Sequence, residues 1–503
     1  MLTNFNVLTE PWIPIEDFHG HIKEYGILEA LEKAHELQGI SDSSPLFHYS
    51  MYRLLIAFLT DALRPQSVDD LLDIYDAGKL PMKRITQYIK ECEVDGTCFD
   101  LFDPVRPFLQ SAWDEQLDSK AVRSVALLVH DLPSGNNAIH FDHRLQDTQA
   151  FSPQICARAL CAVNVFCTSG LQGPSGINGA PPWYVLVSGK NLLERLIYNI
   201  WIPVIELPLD VPPVAWRNGR PVKPGEQVDQ TSYLYGLTWQ ARRVCLLPGE
   251  GGTCTYSGRK SSVLVRKIAF QKGWKFEGHR LWRDPHVPRI ENERGISTVK
   301  PKTGRAAWRD LGPLMLLYGK DHNKARYYRP EVIQQYQHLA REIERGGWVE
   351  AEIYGIVTNQ AKYISWIQDR LGIDYRLVAD ETRAVLFQNE LTLIETVNFE
   401  LKRALKGTLA PAAFCEQAET IFLGQIRPHF LGGFQEEVAL ADVSKPDWRE
   451  SLKEKWRNQL KKITRRMFEE FLDKLGTTAG MLERAAKARR YFYSKLNKLL
   501  KTT

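Results

Sequence analysis

The stretch WRNQLKKITRRMFEEF, residues 456–471, decides how the last quarter of the chain is built. Trp456, Leu460, Ile463, Met467 and Phe471 recur at intervals of four, three, four and four, the spacing of one buried face on an α-helix. The helix extends over 448–475, and the neighbouring stretches 385–405, 411–430 and 478–500 also read as helices separated by short joins. Four such helices in succession predict an antiparallel four-helix bundle over residues 376–503, basic in its second half. Lys461, Arg465 and Arg466, with Arg489 and Arg490, and likewise Lys453 and Arg457, lie off the apolar face, where phosphates could reach them. A merely solvated charged face accounts for them equally well.

The charge balance sharpens that asymmetry. From 449 to 503 there are 16 Lys/Arg against 6 Asp/Glu, a surplus of +10, so a net charge of +5 leaves the first 448 residues at −5. A basic module joined to a mildly acidic body points to a polyanionic partner on one surface. With 503 residues the chain exceeds what one hydrophobic core usually supports, and two or three domains are expected. No apolar run approaches 18 residues, and MLTNFNVLTEPW lacks a basic flank and an apolar signal core, so the expected setting is cytoplasmic, with no membrane partner.

Before the helices the chain reads as a large mixed region over 1–375, giving an α+β class with antiparallel strands and irregular loops. A short strand with edge prolines fits 5–15, helices fit 26–34, 44–63 and 67–91, and the 44–63 helix has one apolar stripe through Leu46, Leu54, Leu55, Phe58 and Leu59. A helix over 153–166 follows a polar segment, LPSGNNAIHFDHR, in which Asn136 and Asn137 are turn formers. Next comes TSGLQGPSGINGAPP, 168–182, with Gly170, Gly173, Gly176 and Gly179 at every third position; such a loop presents backbone with little side chain in the way. Antiparallel strands are expected at 233–239, 244–247, 263–270 and 273–276, with Lys272 and Lys275 bracketing a hairpin tip. A strand over 349–357 closes on Asn359 and Gln360, whose amides each offer a donor and an acceptor.

Catalytic signatures are absent: no GxxxxGK[ST], GxGxxG after a strand, HExxH or GxSxG occurs. The eight cysteines form neither a disulfide scaffold nor a complete metal motif, and Cys245 and Cys254 lack the second pair a zinc site requires. His140, Asp142 and His143 admit a metal-dependent nuclease as one alternative, and a purely structural assembly protein is another.

The segments FNVLTEPWIPI, SPL to LLIAFL, LPSGNNAIHFDHR, PPWYVLVSG, GLTWQ, LWRDPHVP and YGIVTNQAKY, in that order, resemble the large subunit (CasA) family of the type I-E CRISPR surveillance complex, Cascade. The likeness runs from about Phe5 to the end and is densest before residue 366. It implies a non-catalytic protein which recognises the protospacer-adjacent motif (PAM) of double-stranded target DNA from the minor groove, helps to open the duplex and supports recruitment of a helicase-nuclease; some members carry a metal-like cysteine cluster where this chain has only Cys245 and Cys254, so no metal and no cofactor are carried over. By position it assigns the glycine loop to Gly170, Gly173, Gly176 and Gly179, the minor-groove lysine to Lys272 or Lys275, and the wedge to Asn359 and Gln360. It assigns contact with CRISPR RNA or backbone subunits to His130, Asn136, Asn137, His140, Phe141 and Arg144, and contact with small subunits and the displaced strand to the bundle.

Overall fold

The computed structural model describes residues 4–114, 121–130, 132, 148–169, 173–203, 213–218, 222–278, 282–322, 325–343, 347–359 and 362–501. The chain divides into two compact units, one of residues 1–314, 318–345 and 350–371, the other of 315–317, 346–349 and 372–503. No helix among the described residues is long and apolar enough to cross a membrane.

The first unit is built around helix Pro45–Leu63. Every residue from Pro45 to Ala62 is buried, so the single apolar stripe expected from the sequence understates it: the helix is enclosed on all sides. Its charged side chains are therefore partnered. Arg53 donates to the carbonyl of Leu237 at 2.8 Å and pairs with the buried Asp284 at 2.8 Å, while Asp61 accepts from Tyr88 Oη at 2.8 Å.

Small sheets, mostly antiparallel, surround this helix, and two of them matter for the site. Strands Arg242–Thr253 and Lys260–Lys272 form one long hairpin, in register from Arg242↔Lys272 to Thr253↔Lys260 with a bulge at Leu247/Pro248. In the second sheet Trp348–Asn359 lies between Tyr184–Val187 and Lys362–Asp374, and Tyr354 faces Tyr184 across an antiparallel pair.

Two strand expectations fail here. Residues 233–237 are helix Tyr233–Leu237, because Ser232 Oγ accepts from the Tyr235 amide at 2.9 Å and caps the turn. Gly236 within it lies beneath the Trp282 indole, where a Cβ would fall 2.1 Å from the ring, so no side chain fits. Strand Lys275–Phe276 pairs in parallel with Gln227–Val228 instead of continuing a hairpin, and the hairpin turn lies between Thr253 and Lys260. Lys272 and Lys275 thus stand at the open end of the hairpin, not at its tip.

In the second unit, helices Glu381–Gly407, Ala412–Pro428, Trp448–Asp473 and Ala479–Leu499 pack together, the first touching the other three. Trp456, Leu460, Ile463, Met467 and Phe471 are all buried. Phe387 stacks on Phe430 with ring centroids 4.3 Å apart, and Phe434 on Trp456 at 5.2 Å. Asp380 caps the first helix by accepting from the Thr382 amide at 2.8 Å.

Candidate nucleic-acid interface

The open end of the hairpin meets the glycine stretch. Arg242, opposite Lys272, is buried, and its guanidinium donates to the carbonyls of Pro174 and, at 2.8 Å, of Thr168. Its own amide donates to Asn164 Oδ1 at 2.8 Å. One side chain therefore holds both limbs of the 168–174 loop against the strand end. Gly173 has φ +137°, and a Cβ there would approach the Lys272 Cα to 3.3 Å and the Arg242 guanidinium to 3.0 Å. Glycine is required at this position both for its backbone angle and for the close approach.

The far limb is fixed separately. The Gly179 amide donates to the Gly176 carbonyl at 2.9 Å, and the Gly176 amide to the Cys167 carbonyl at 3.2 Å. Asn178 donates to Asp284 at 2.8 Å, which ties the loop to the buried Arg53 ion pair. Burial pushes the Asp284 carboxyl up, but the Arg53 charge together with His286 and the hydrogen bonds from Arg53 and Asn178 outweigh it, and the group stays ionised, below its usual range.

Lys272 is exposed and makes no ion pair among the described residues, so its ammonium is available. Lys275 instead pairs with Glu277 at 2.5 Å. Between them Gly273 and Trp274 donate backbone hydrogen bonds to Ala241 and Gln240 at 2.9 and 3.0 Å, pinning the corner. The two lysines that sequence treats alike are thus distinguished by one carboxylate.

The register of the second sheet sets the place of Asn359. Because Tyr354 faces Tyr184 in an antiparallel pair, residues beyond Tyr354 run toward the residues that precede Tyr184, namely the end of the glycine loop. Asn359 ends its strand, exposed, on that side of the sheet. Gly170 and Gln360 lie outside the described residues, as do Asn136, Asn137, His140, Phe141, Asp142, His143 and Arg144. His130 is half-buried at the root of that segment, and its Nε2 lies 3.3 Å from the Val163 carbonyl. Burial, with the nearby Arg242 charge, pushes its pKa down to about 4, so the ring is neutral near pH 7 and Nε2 donates. Among the described residues no group of three His, Cys, Asp or Glu side chains is placed to hold a metal ion.

On the helices the expected cations separate into two kinds. Arg457 pairs with the buried Glu390 at 2.7 Å, Arg489 with Glu469 at 2.7 Å, and Arg465 bonds Asn497 at 2.9 Å while its guanidinium lies 5.1 Å from the Tyr493 ring centre. Lys453 pairs with Glu450 at 2.9 Å. These four are engaged within the unit, a correction to the expectation that all stand free. Arg466 has only a loose exposed pair with Glu470 at 3.7 Å, and Lys461 and Arg490 have no carboxylate partner among the described residues. Sequence reading missed Arg242, Asn178 and Asp284; nothing in composition marks an arginine whose partners are carbonyls 68 and 74 residues away.

The sequence model of the family described as CRISPR-associated protein Cse1 matches residues 6–467. A curated relative, the CRISPR-associated protein CasA/Cse1 of Thermus thermophilus, is 30% identical over 379 residues, 72% of this chain and 70% of the relative. Among solved structures, Cse1 of Acidimicrobium ferrooxidans superposes with a TM-score of 0.77 at 19% identity over 99% of this chain and 98% of its own. A chain of a CRISPR RNA-guided surveillance complex does so with a TM-score of 0.73 at 16% identity, over 97% and 99%. At such identities the superpositions establish the shared fold, and the family match with the Thermus relative establishes descent: the chain belongs to the CRISPR-associated Cse1 (CasA) family.

Proposed function

We propose that this chain is the large subunit of a type I-E Cascade complex, a non-catalytic protein of the cytoplasm that recognises the PAM of double-stranded target DNA from the minor groove and promotes unwinding and R-loop formation. The observation that carries the reading is the contact of the Gly173 backbone with Lys272, held by Arg242. A bare backbone edge beside one unpaired ammonium suits the narrow minor groove, where A·T and T·A pairs look alike; it implies tolerance of several related motifs. Asn359, at the strand end on the same side of the sheet, and Gln360, next in the sequence, act as the wedge that holds the first separated pair apart. Stacking of about 1.4 kcal/mol per step makes that wedge worth roughly a factor of ten in opening.

In this reading residues 1–375 read the motif and 376–503, as a four-helix bundle, face the small subunits and the displaced strand through Lys461, Arg466 and Arg490. The segment from His130 to Arg144 meets CRISPR RNA or backbone subunits, and the motif-bound state recruits the helicase-nuclease. The test is the assembled complex on a matched target, with opening of the first base pairs followed by permanganate reactivity. Gln360→Ala should retain motif affinity and slow opening about tenfold; unchanged opening would remove the wedge.

A further inference from the structure

A cavity of about 410 Å3 opens on the other side of the strand that carries Arg242. Successive strand residues point to opposite faces, so Arg242 serves the glycine loop and Arg243 lines this cavity. We propose that the cavity binds one nucleotide, a single nucleobase with its phosphate, either extruded from a bound strand or free in solution.

Four groups facing the cavity have unused hydrogen-bonding capacity. Arg243 is 2% exposed and its Nε has no partner, although the same guanidinium pairs with Asp114 and lies 3.4 Å from Gln271 Oε1. Gln240 accepts from Tyr235 Oη at 3.2 Å, while its amide NH2 has no acceptor among the described residues. The Ser111 hydroxyl is likewise unengaged, and Arg106 uses one nitrogen on the Asp95 carbonyl at 2.7 Å. Phe108 and Trp216, with ring centres 5.7 Å apart, supply apolar wall.

That inventory selects the ligand. An amide and a hydroxyl beside aromatic walls match the edge and face of a base, and two guanidiniums against one carboxylate leave a surplus positive charge for a phosphate. The volume lies within the range of small-ligand sites and exceeds what a base alone fills. Leu109, in the rim, has φ +55°, a strained angle for a bulky residue, held by a turn in which Gln110 donates to the Pro107 carbonyl at 3.1 Å.

The full-length chain is titrated calorimetrically with AMP, CMP, GMP and UMP, and with ribose 5-phosphate as the baseless control. The expected result is saturable binding of at least one nucleotide, with ribose 5-phosphate at least tenfold weaker. Ala112→Phe, which fills the cavity from a partly exposed position, should weaken binding at least tenfold at an unchanged melting temperature; Arg243→Lys should also weaken binding, by removing the fork, and will lower the melting temperature because the side chain is buried and paired with Asp114. No saturable binding of any of the four, or binding untouched by Ala112→Phe, overturns the site. Competition by a short oligothymidylate identifies an extruded nucleotide as the ligand, and its failure to compete identifies a free one. No duplex motif enters this measurement, so its failure and that of PAM reading are distinguishable.

Discussion

At the open end of the hairpin one buried arginine is spent on two backbone carbonyls and leaves a single lysine unpaired; on the C-terminal helices sixteen cations are spread over 449–503, several of them engaged by Glu390, Glu469 and Asn497. The first arrangement fixes geometry at the level of individual atoms, and the second leaves a diffuse field. In the proposed function the difference is that between reading and holding: a rigid contact would discriminate base pairs, whereas scattered exposed charge would yield affinity that depends on salt and ignores sequence.

Removing the arginine tests the first half most severely. Arg242→Ala removes the donor shared by the half-buried carbonyls of Thr168 and Pro174 and should cost about 1–2 kcal/mol in urea unfolding, together with loss of motif discrimination. A cost under about 0.5 kcal/mol would show that the loop is held by something else. Gly173→Ala comes next: its Cβ would press on the Lys272 backbone at a φ that side chains rarely adopt, so motif affinity should fall at least tenfold, about 1.4 kcal/mol, in filter binding by the assembled complex. Lys272→Ala should cut motif affinity roughly tenfold with no change in unfolding, and Lys275→Ala, whose ammonium is paired with Glu277, should do less.

The second half is probed by salt. Lys461→Ala and Arg490→Ala should each reduce the dependence of log affinity on log salt by about one, while Arg489→Ala should instead destabilise the helices through Glu469. An equal change in slope from all three would erase the distinction between engaged and free cations.

A separate expectation, independent of the comparison between the two regions, is a shared dependence on pH. His48, His130 and His286 are each pushed by burial to about 4, so the folded chain resists protons that the unfolded chain takes up below the usual value near 6.5. Stability is full above that value and declines as pH falls from about 6.5 toward 4. Urea midpoints at pH 7.5 and 5 should show it, and His286→Gln should flatten the difference.

The C-terminal helices were legible because their pattern is local: a spacing of three and four names the buried face without reference to any other part of the chain, and Trp456 through Phe471 are buried as spaced. The aromatic run at 233–239 misled because a Ser cap and a glycine under Trp282 outweigh strand propensity, and neither is visible until the distant ring is in place. At the site, the lysines and the strand-end asparagine were findable as exposed polar residues beside turns. Arg242 was not, since what distinguishes it from other arginines is a pairing across the chain.

The bulge at Leu247/Pro248 lies where the hairpin passes from a packed half to a solvated one, with Arg242–Leu246 buried and Glu250–Thr253 exposed. An extra residue on one strand interrupts the ladder there, but the outer arm is pinned again at its turn, where the Thr255 amide donates to the Ala150 carbonyl at 2.8 Å and Cys254 is buried. The hairpin is thus clamped at both ends, and its solvated stretch spans between the two anchors.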